Sequence, residues 1–329
     1  MKKLLLAVVD MLRFLASLRV VFRPIPHHTY DETIAIRGIA SVHPAIPRWV
    51  ARFRARVIDR QEGRSAVAIG DESEFLFSRS EIERCLATLK QDGIYVFAER
   101  LPASLLTALQ RSVSTLPAYF RSGKDEDIPF RRGVDGTGLF DIRESDLMVP
   151  SAIQEYVTNP VWHFIAGKYF NAPPVHDETV AWWTFPQPAE FASLGAQMFH
   201  SDRRRLSFVK FFVYLTDVTT RNGPHVVVPG SHRHRPLRLR SDRRYEDSEV
   251  IAGCKRAPVE ALGEAGTVIA VDTQALHKGK MLERDHRLIL EIQLSTDLLG
   301  PASTILHNDW NEIAKARIST NPRVFQRFQ

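Results

Sequence analysis

Three of the twelve histidines have an acidic residue two positions further on: His176/Glu178, His200/Asp202 and His307/Asp309. In an extended strand, residues i and i+2 project from the same face, so an imidazole and a carboxylate at this spacing can reach one metal ion. The spacing alone is a weak signal, and context separates the three. After His200/Asp202 come an alternating run over 206–215, a turn at Asn222-Gly223-Pro224, and Val226-Val227-Val228 closed by Pro229-Gly230-Ser231-His232. Gly266 then introduces a β-rich stretch over 267–271, His277 stands just past it, and Arg287 opens a further alternating run over 287–294. The order H-x-D, distant His, then Arg suits a two-His-one-carboxylate Fe(II) site, in which three protein ligands leave three coordination positions open. The arginine adds a planar fork for a carboxylate such as the far end of 2-oxoglutarate.

The neighbouring candidates read differently. His232 and His234 also stand two apart, but Arg233, Arg235, Arg238 and Arg240 would repel a divalent cation, so His232 is expected in a turn or beside the ligands. His307/Asp309 lies beyond the strands and is expected in solvent. Trp182 and Trp183 precede the ligand segment and could wall a substrate pocket, with buried aromatic packing as the other reading.

These residues need elements to hold them. Ser80 and Glu83 fit a capping box, and Ile82, Leu86 and Leu89 form one helical stripe that stops at Asp92-Gly93. A short strand is expected over 94–97 and a second helix over 102–113 with proline in its first turn. From about Val180 onward, short strands alternate with Gly/Pro turns and no helices intervene, which argues for an antiparallel barrel or jelly roll. No G-x-G-x-x-G or Walker loop occurs. Strand parity then sorts side chains. Leu206, Phe208, Lys210, Phe212 and Tyr214 share one face, and Leu288, Leu290, Ile292 and Leu294 lie opposite Arg287, Ile289, Glu291 and Gln293. The uniformly apolar faces are assigned to a helix-covered outside, leaving Lys210, Phe212 and Arg287 inside the barrel.

The ordered pieces Q-M-F-H-S-D (197–202), K-F-F-V-Y-L-T-D-V (210–218), N-G-P-H-V-V-V-P-G-S-H (222–232), G-T-V-I-A-V-D-T-Q-A-L-H-K-G (266–279) and R-L-I-L-E (287–291) resemble the phytanoyl-CoA dioxygenase (PhyH) family of Fe(II)/2-oxoglutarate oxygenases. The segment 78–97 resembles the family's entry helix and strand. The resemblance implies a mainly β double-stranded β-helix, cupin-like, with α-helices packed on one sheet. It implies His200, Asp202 and His277 as iron ligands and Arg287 as the clamp on 2-oxoglutarate. Gln197, Lys210 and Phe212 are expected to join Arg287 in cofactor binding, with Lys210 either contacting a carboxylate or pairing with Glu291. Dioxygen and an unidentified small substrate, anionic or acyl-type, are the implied partners, and succinate and CO2 the co-products. Related halogenases carry a small residue in place of the aspartate, so Asp202 favours hydroxylation, or desaturation and epoxidation. A metalloenzyme using the same ligands without 2-oxoglutarate has no need of Arg287. A catalytically silent binding module would lose nothing on replacement of His200.

The chain has 329 residues, 44% hydrophobic and 25% charged, a globular composition. No apolar run reaches the roughly 18 residues that span a bilayer. The two cysteines cannot build a disulfide framework, which suggests reduced thiols in a cytoplasmic setting. The net charge of +6 is uneven: residues 1–65 carry twelve Lys/Arg against five Asp/Glu, and 203–244 eleven against two. Such zones are usually solvated faces, and no nucleic-acid partner is expected. Asp10 cuts the opening apolar run short of a secretory signal. Leu5, Val8, Leu12 and Leu15 instead suggest an amphipathic helix that docks on the body in preference to a membrane. Three regions are expected: a basic N-terminal helix and extended arm (1–77), with the arm over 23–70 carrying a short basic helix near Arg48–Arg60, the oxygenase jelly roll (78–300) and a C-terminal tail (301–329). Within the second, 233–263 is long for a connection and is expected to form a rim whose arginines, Arg233 and Arg235 first, favour an anionic substrate.

Overall fold

A computed structural model describes residues 30–62, 72–121, 138–187 and 196–329. Runs rich in Val, Ile and Phe pair antiparallel at every strand contact. The first sheet contains β1 (Ile94–Val96), β2 (Ala118–Phe120), β3 (Leu139–Ile142), β4 (Val175–Thr184), β5 (Phe208–Tyr214), β8 (Val268–Val271) and β10 (Arg287–Ser295), in the order β1-β8-β5-β10-β4-β3-β2. The second contains β6 (His225–Val227), β7 (Val259–Ala261) and β9 (His277–Gly279), in the order β7-β6-β9. Together they form the expected double-stranded β-helix.

Period-2 alternation divides the large sheet as the sequence predicts. Val209, Phe211, Val213, Leu288, Leu290, Ile292 and Leu294 join the helix-side core. Phe212, Tyr214 and Ile289 face the barrel interior with Val227, Ile269 and Val271. The helices on the outer face include α3 (Arg79–Asp92), α4 (Ala103–Thr115), α5 (Glu144–Leu147), α6 (Ser151–Val157) and α7 (Pro160–Phe170). They follow α1 (Tyr30–Val42) and α2 (Ile46–Glu62), and precede α8 (Asp247–Gly253) and α9 (Glu312–Thr320).

The cap of α3 is Ser78, two residues before the serine expected. Its hydroxyl accepts from the Glu81 N–H at 3.3 Å. The capping-box pattern at Ser80/Glu83 fails because the buried Glu81 carboxylate anchors this turn to the following strand, accepting from Ala98 N at 2.5 Å and from the Tyr95 hydroxyl at 3.1 Å. The helix ends on Gly93 at φ 79°, whose N–H returns to the Leu89 carbonyl. A Cβ there would lie 2.6 Å from His232 Nδ1, so glycine is required twice over, by conformation and by space. His232 therefore packs against a helix end.

Three expectations are corrected. The arm expected over 23–70 is helical where it is described: the short basic helix expected near Arg48–Arg60 is present as part of α2, and α1 and α2 pack Ile36, Ile39, Val50 and Ala51 against Leu206 and Leu299. Arg48 pairs with buried Asp272 at 2.5 Å and Arg54 with Asp297 at 3.1 Å. The amphipathic N-terminal helix expected from Leu5 to Leu15 lies outside the described residues. The C-terminal residues are no loose tail, since Trp310, Val324, Phe325 and Phe328 complete the helix-side core. The 233–263 connection also has its own structure, with α8, β7 and a core of Leu239, Tyr245 and Val250 packed on Phe199, Val226 and Leu276.

Asp177 on β4 is the most heavily hydrogen-bonded carboxylate of this framework. It receives Arg205 at 2.9 and 2.7 Å, Gln293 Nε2 at 2.5 Å, and the hydroxyls of Ser295 and Ser303 at 2.7 and 3.0 Å. Burial works to raise its pKa, but Arg205 and these donors outweigh it and hold the carboxyl far below the ordinary carboxylate range. A depressed folded-state pKa adds stability above the unfolded value near 3.9 and loses it as pH falls toward the folded one. Asp177→Asn leaves Arg205 buried without a counter-charge and is expected to cost about 3–5 kcal/mol in urea denaturation at pH 7. It should also flatten the wild-type loss of stability below about pH 4.

Candidate active site

His200, Asp202 and His277 are distant in sequence, and backbone pairing brings them together. His200 and His277 form an antiparallel bridge with reciprocal N–H to carbonyl bonds of 2.9 Å. Asp202 N–H donates to the Thr273 carbonyl at 2.9 Å. One atom from each side chain lies within 4.8 Å of the others. The Asp202 carboxylate is 3.5 Å from His200 Nε2 and 3.9 Å from His277 Nε2. Each imidazole is oriented from behind: His200 Nδ1 bonds the Met198 carbonyl and His277 Nδ1 the Ala275 carbonyl, both at 3.0 Å. With those protons held by carbonyls, both Nε2 lone pairs face Asp202, which is the arrangement a metal-binding histidine needs.

The electrostatics agree. Burial, then the neighbouring His200, pulls the His277 pKa down to about 3, so its ring is neutral. Burial works to raise the Asp202 carboxyl, but Lys210 and then the imidazoles hold it well below the ordinary value, so it is anionic. Two imidazoles, with His277 neutral, and one carboxylate fit a divalent transition metal with open positions.

The cavity around this group has a volume of about 450 Å³. Arg287 enters it from the start of β10, opposite Thr184 on β4. The guanidinium is buried; one Nη reaches Thr184 Oγ1 at 3.4 Å, and Nε has no hydrogen-bond partner among the described residues. Burial lowers its pKa to about 10, so it remains a cation at neutral pH. A buried, under-partnered guanidinium beside a metal-type donor set fits a carboxylate co-substrate.

Gln197, Lys210, Phe212 and Trp182 also line the cavity. Lys210 Nζ lies 3.0 Å from Glu291 and 3.4 Å from Asp202, so the lysine joins two carboxylates. Trp182 meets Phe212 edge-on at 6.2 Å, and the Arg121 guanidinium lies 5.8 Å from its ring centre. Trp183 is corrected: β4 parity turns it to the helix side, where it stacks on Phe185 and touches His286. Arg233 and Arg235 are corrected as well. Neither lines this cavity: Arg233 is exposed and bonds the Lys90 carbonyl, while Arg235 is buried behind the ligand segment and donates to Ser201 Oγ at 2.9 Å. A folded loop core, absent from the local pattern, turns this segment away from the cavity.

Sequence reading missed His225. Register places Val227 opposite His277, and His225 shares Val227's face, so its ring enters the barrel. It stacks on His277 at 5.3 Å and packs on Phe212 at 5.1 Å, and its Nε2 is buried without a partner among the described residues. The signal was present in the alternation of H-V-V, but it could be read only once the strand direction was known. Thr184 was missed for the same reason, and Glu178, weighed only as a partner of His176, lines the cavity without it.

The phytanoyl-CoA dioxygenase (PhyH) model matches residues 89–281 of the chain. No curated protein matches at a significant level. Among solved structures, similarity is found to AviO1 from Streptomyces viridochromogenes Tue57 (13% identity, 69% of this chain and 100% of that one, TM-score 0.47). It is also found to the non-heme alpha ketoglutarate dependent epimerase SnoN from nogalamycin biosynthesis (16% identity, 66% and 84%, TM-score 0.47). A third is EctD from S. alaskensis with bound Fe (17% identity, 72% and 85%, TM-score 0.47).

Lys210 tests the charge balance of the cavity. Lys210→Met removes the cation between Asp202 and Glu291 and is expected to destabilise the metal-free protein by about 3–5 kcal/mol. Mn(II) should then raise the melting temperature of the variant more than that of the wild type. Equal increments in thermal denaturation would show that the lysine and a metal ion do not neutralise the same carboxylate.

Proposed function

The chain belongs to the phytanoyl-CoA dioxygenase family of iron- and 2-oxoglutarate-dependent oxygenases, and on that premise we propose that it hydroxylates a small anionic or acyl-type substrate, with His200, Asp202 and His277 as the iron ligands. The observation that carries this reading is the convergence of three ligand atoms within 4.8 Å in a barrel that also holds the buried Arg287. When bound, ferrous iron and 2-oxoglutarate supply the dioxygen-activating chemistry that releases succinate and CO2 and oxidises the substrate.

The residues divide the remaining work. The carbonyls of Met198 and Ala275 fix the two imidazoles that would hold the metal. Arg287 holds the distal carboxylate of 2-oxoglutarate, aided by Thr184, and its burial keeps competing water from the charge pair. Lys210 restrains Asp202 and offsets the Glu291 charge. Phe212 and His225 wall the side next to His277, and Gln197 lines the cavity beside His200.

Size limits the substrate. A cavity of about 450 Å³ lies toward the lower end of ligand pockets, and 2-oxoglutarate takes part of it. The remaining space suits a small molecule or the reacting end of a longer acyl chain laid against Trp182. Arg121 and Arg204 stand at its edge, paired with Asp141 and Glu178. An anionic substrate group can exchange with either carboxylate for its guanidinium.

Succinate formation in a metabolite extract, dependent on both Fe(II) and 2-oxoglutarate, is the direct test. His200→Ala should abolish it. Arg287→Leu removes charge-assisted bonds worth about 2–3 kcal/mol and is expected to raise the KM for 2-oxoglutarate roughly 30- to 150-fold. An unchanged KM would remove Arg287 from the clamp.

A further inference from the structure

A second cavity, of about 600 Å³, lies behind the ligand segment and takes no part in the proposed reaction. Its walls carry Arg235, Arg240, Lys255, Arg256, His43 and His234, and no carboxylate is among the lining residues. Arg256 is balanced from outside by Asp92 at 2.5 Å. Among the described residues the others have no such balance. Arg240 donates to the carbonyls of Arg235 and Val42. Arg235 is only 5% exposed, donates to Ser201 Oγ and the Gln274 carbonyl, and has no ion pair among the described residues. Its Nε is buried without a hydrogen-bond partner among the described residues.

A guanidinium taken out of water without a counter-charge is costly, and it is retained where something anionic completes it. Burial and the adjacent Arg203 lower the pKa of Arg235 to about 9, which leaves it charged at neutral pH. Guanidinium and ammonium groups lining one cavity suit a tetrahedral oxyanion, whose several acceptor oxygens can satisfy several donors at once. The volume exceeds what an inorganic ion fills and falls in the range of small-molecule pockets.

We propose that this second cavity is a binding site for the phosphoryl group of a small phosphorylated molecule, held by Arg235, Arg240 and Lys255. It is separate from the 2-oxoglutarate clamp, since neither Arg287 nor any of the three proposed iron ligands lines it.

Cys254 lines the cavity and is partly exposed, while the chain's other cysteine, Cys85, is fully buried. The rate at which a thiol reagent modifies Cys254 in the full chain therefore reports on this cavity. Inorganic pyrophosphate, titrated at constant ionic strength, is the probe. Protection should be saturable and exceed that given by chloride. It should weaken by about tenfold or more in an Arg240→Gln/Lys255→Gln variant, as expected for lost charge-assisted bonds. Arg287→Leu should protect as wild type does, which separates this site from the catalytic cavity. Calorimetry with pyrophosphate on the same variants gives a second readout independent of the thiol. Protection no better than chloride, or equal protection in the double variant with an unchanged melting temperature, would overturn the proposal.

Discussion

The antiparallel bridge between His200 and His277 is the contact on which the site depends. Two backbone hydrogen bonds of 2.9 Å join a segment that belongs to no strand to the first residue of β9. A peptide bond can direct its side chain only one way at each register position, so the bridge sets both imidazoles side by side, 4.3 Å between ring centres. Asp202, two residues further along, inherits the same face. Crowding two rings and a carboxylate opposes folding unless their protons and charge are accounted for. The carbonyls of Met198 and Ala275 take the protons, and Lys210 offsets the charge.

The interior of the barrel follows the same economy of charge. Lys210 meets Asp202 and Glu291, Arg204 meets Glu178, and Arg121 meets Asp141. Arg287 is the cation lining the cavity that meets no carboxylate within ion-pair distance among the described residues. In a low-dielectric space an unmatched charge is the feature that discriminates between ligands, because every matched pair must be broken before it can bind anything else. The proposed selectivity for a carboxylate at Arg287 would thus arise partly from how thoroughly its neighbours are already engaged.

Much of this was legible in the primary structure, for a definable reason. Strand alternation is local, so the inward set of Lys210, Phe212 and Arg287 and the outward set of Leu288, Leu290, Ile292 and Leu294 could be read without knowing any partner strand. What escaped was set by contacts between distant segments. Arg48 and Arg54 look like a solvated basic stripe until Asp272 and Asp297 are placed beside them, more than 200 residues away. Trp310, Phe325 and Phe328 look like a tail until they close the helix-side core. Trp182 and Trp183 are adjacent and chemically identical, and only the register of β4 against β10 tells which one meets the cavity. Arg235 misleads for the opposite reason. Its basic neighbourhood is real, but the folded core of the 233–263 segment turns it to the other side of the ligand segment.

That last displacement gives the H-x-D segment two faces. His200 and Asp202 project into the barrel, so alternation sends the intervening Ser201 outward, and its hydroxyl accepts from both Arg235 and Arg203. Arg235 also holds the Gln274 carbonyl, on the turn between Thr273, which receives the Asp202 N–H, and Ala275, which orients His277. One buried guanidinium thereby ties together the two chain segments that carry the metal-type ligands. Arg235 lines the second cavity and bonds the serine that stands between His200 and Asp202. The two cavities are therefore joined through one buried side chain even though they share no lining residue.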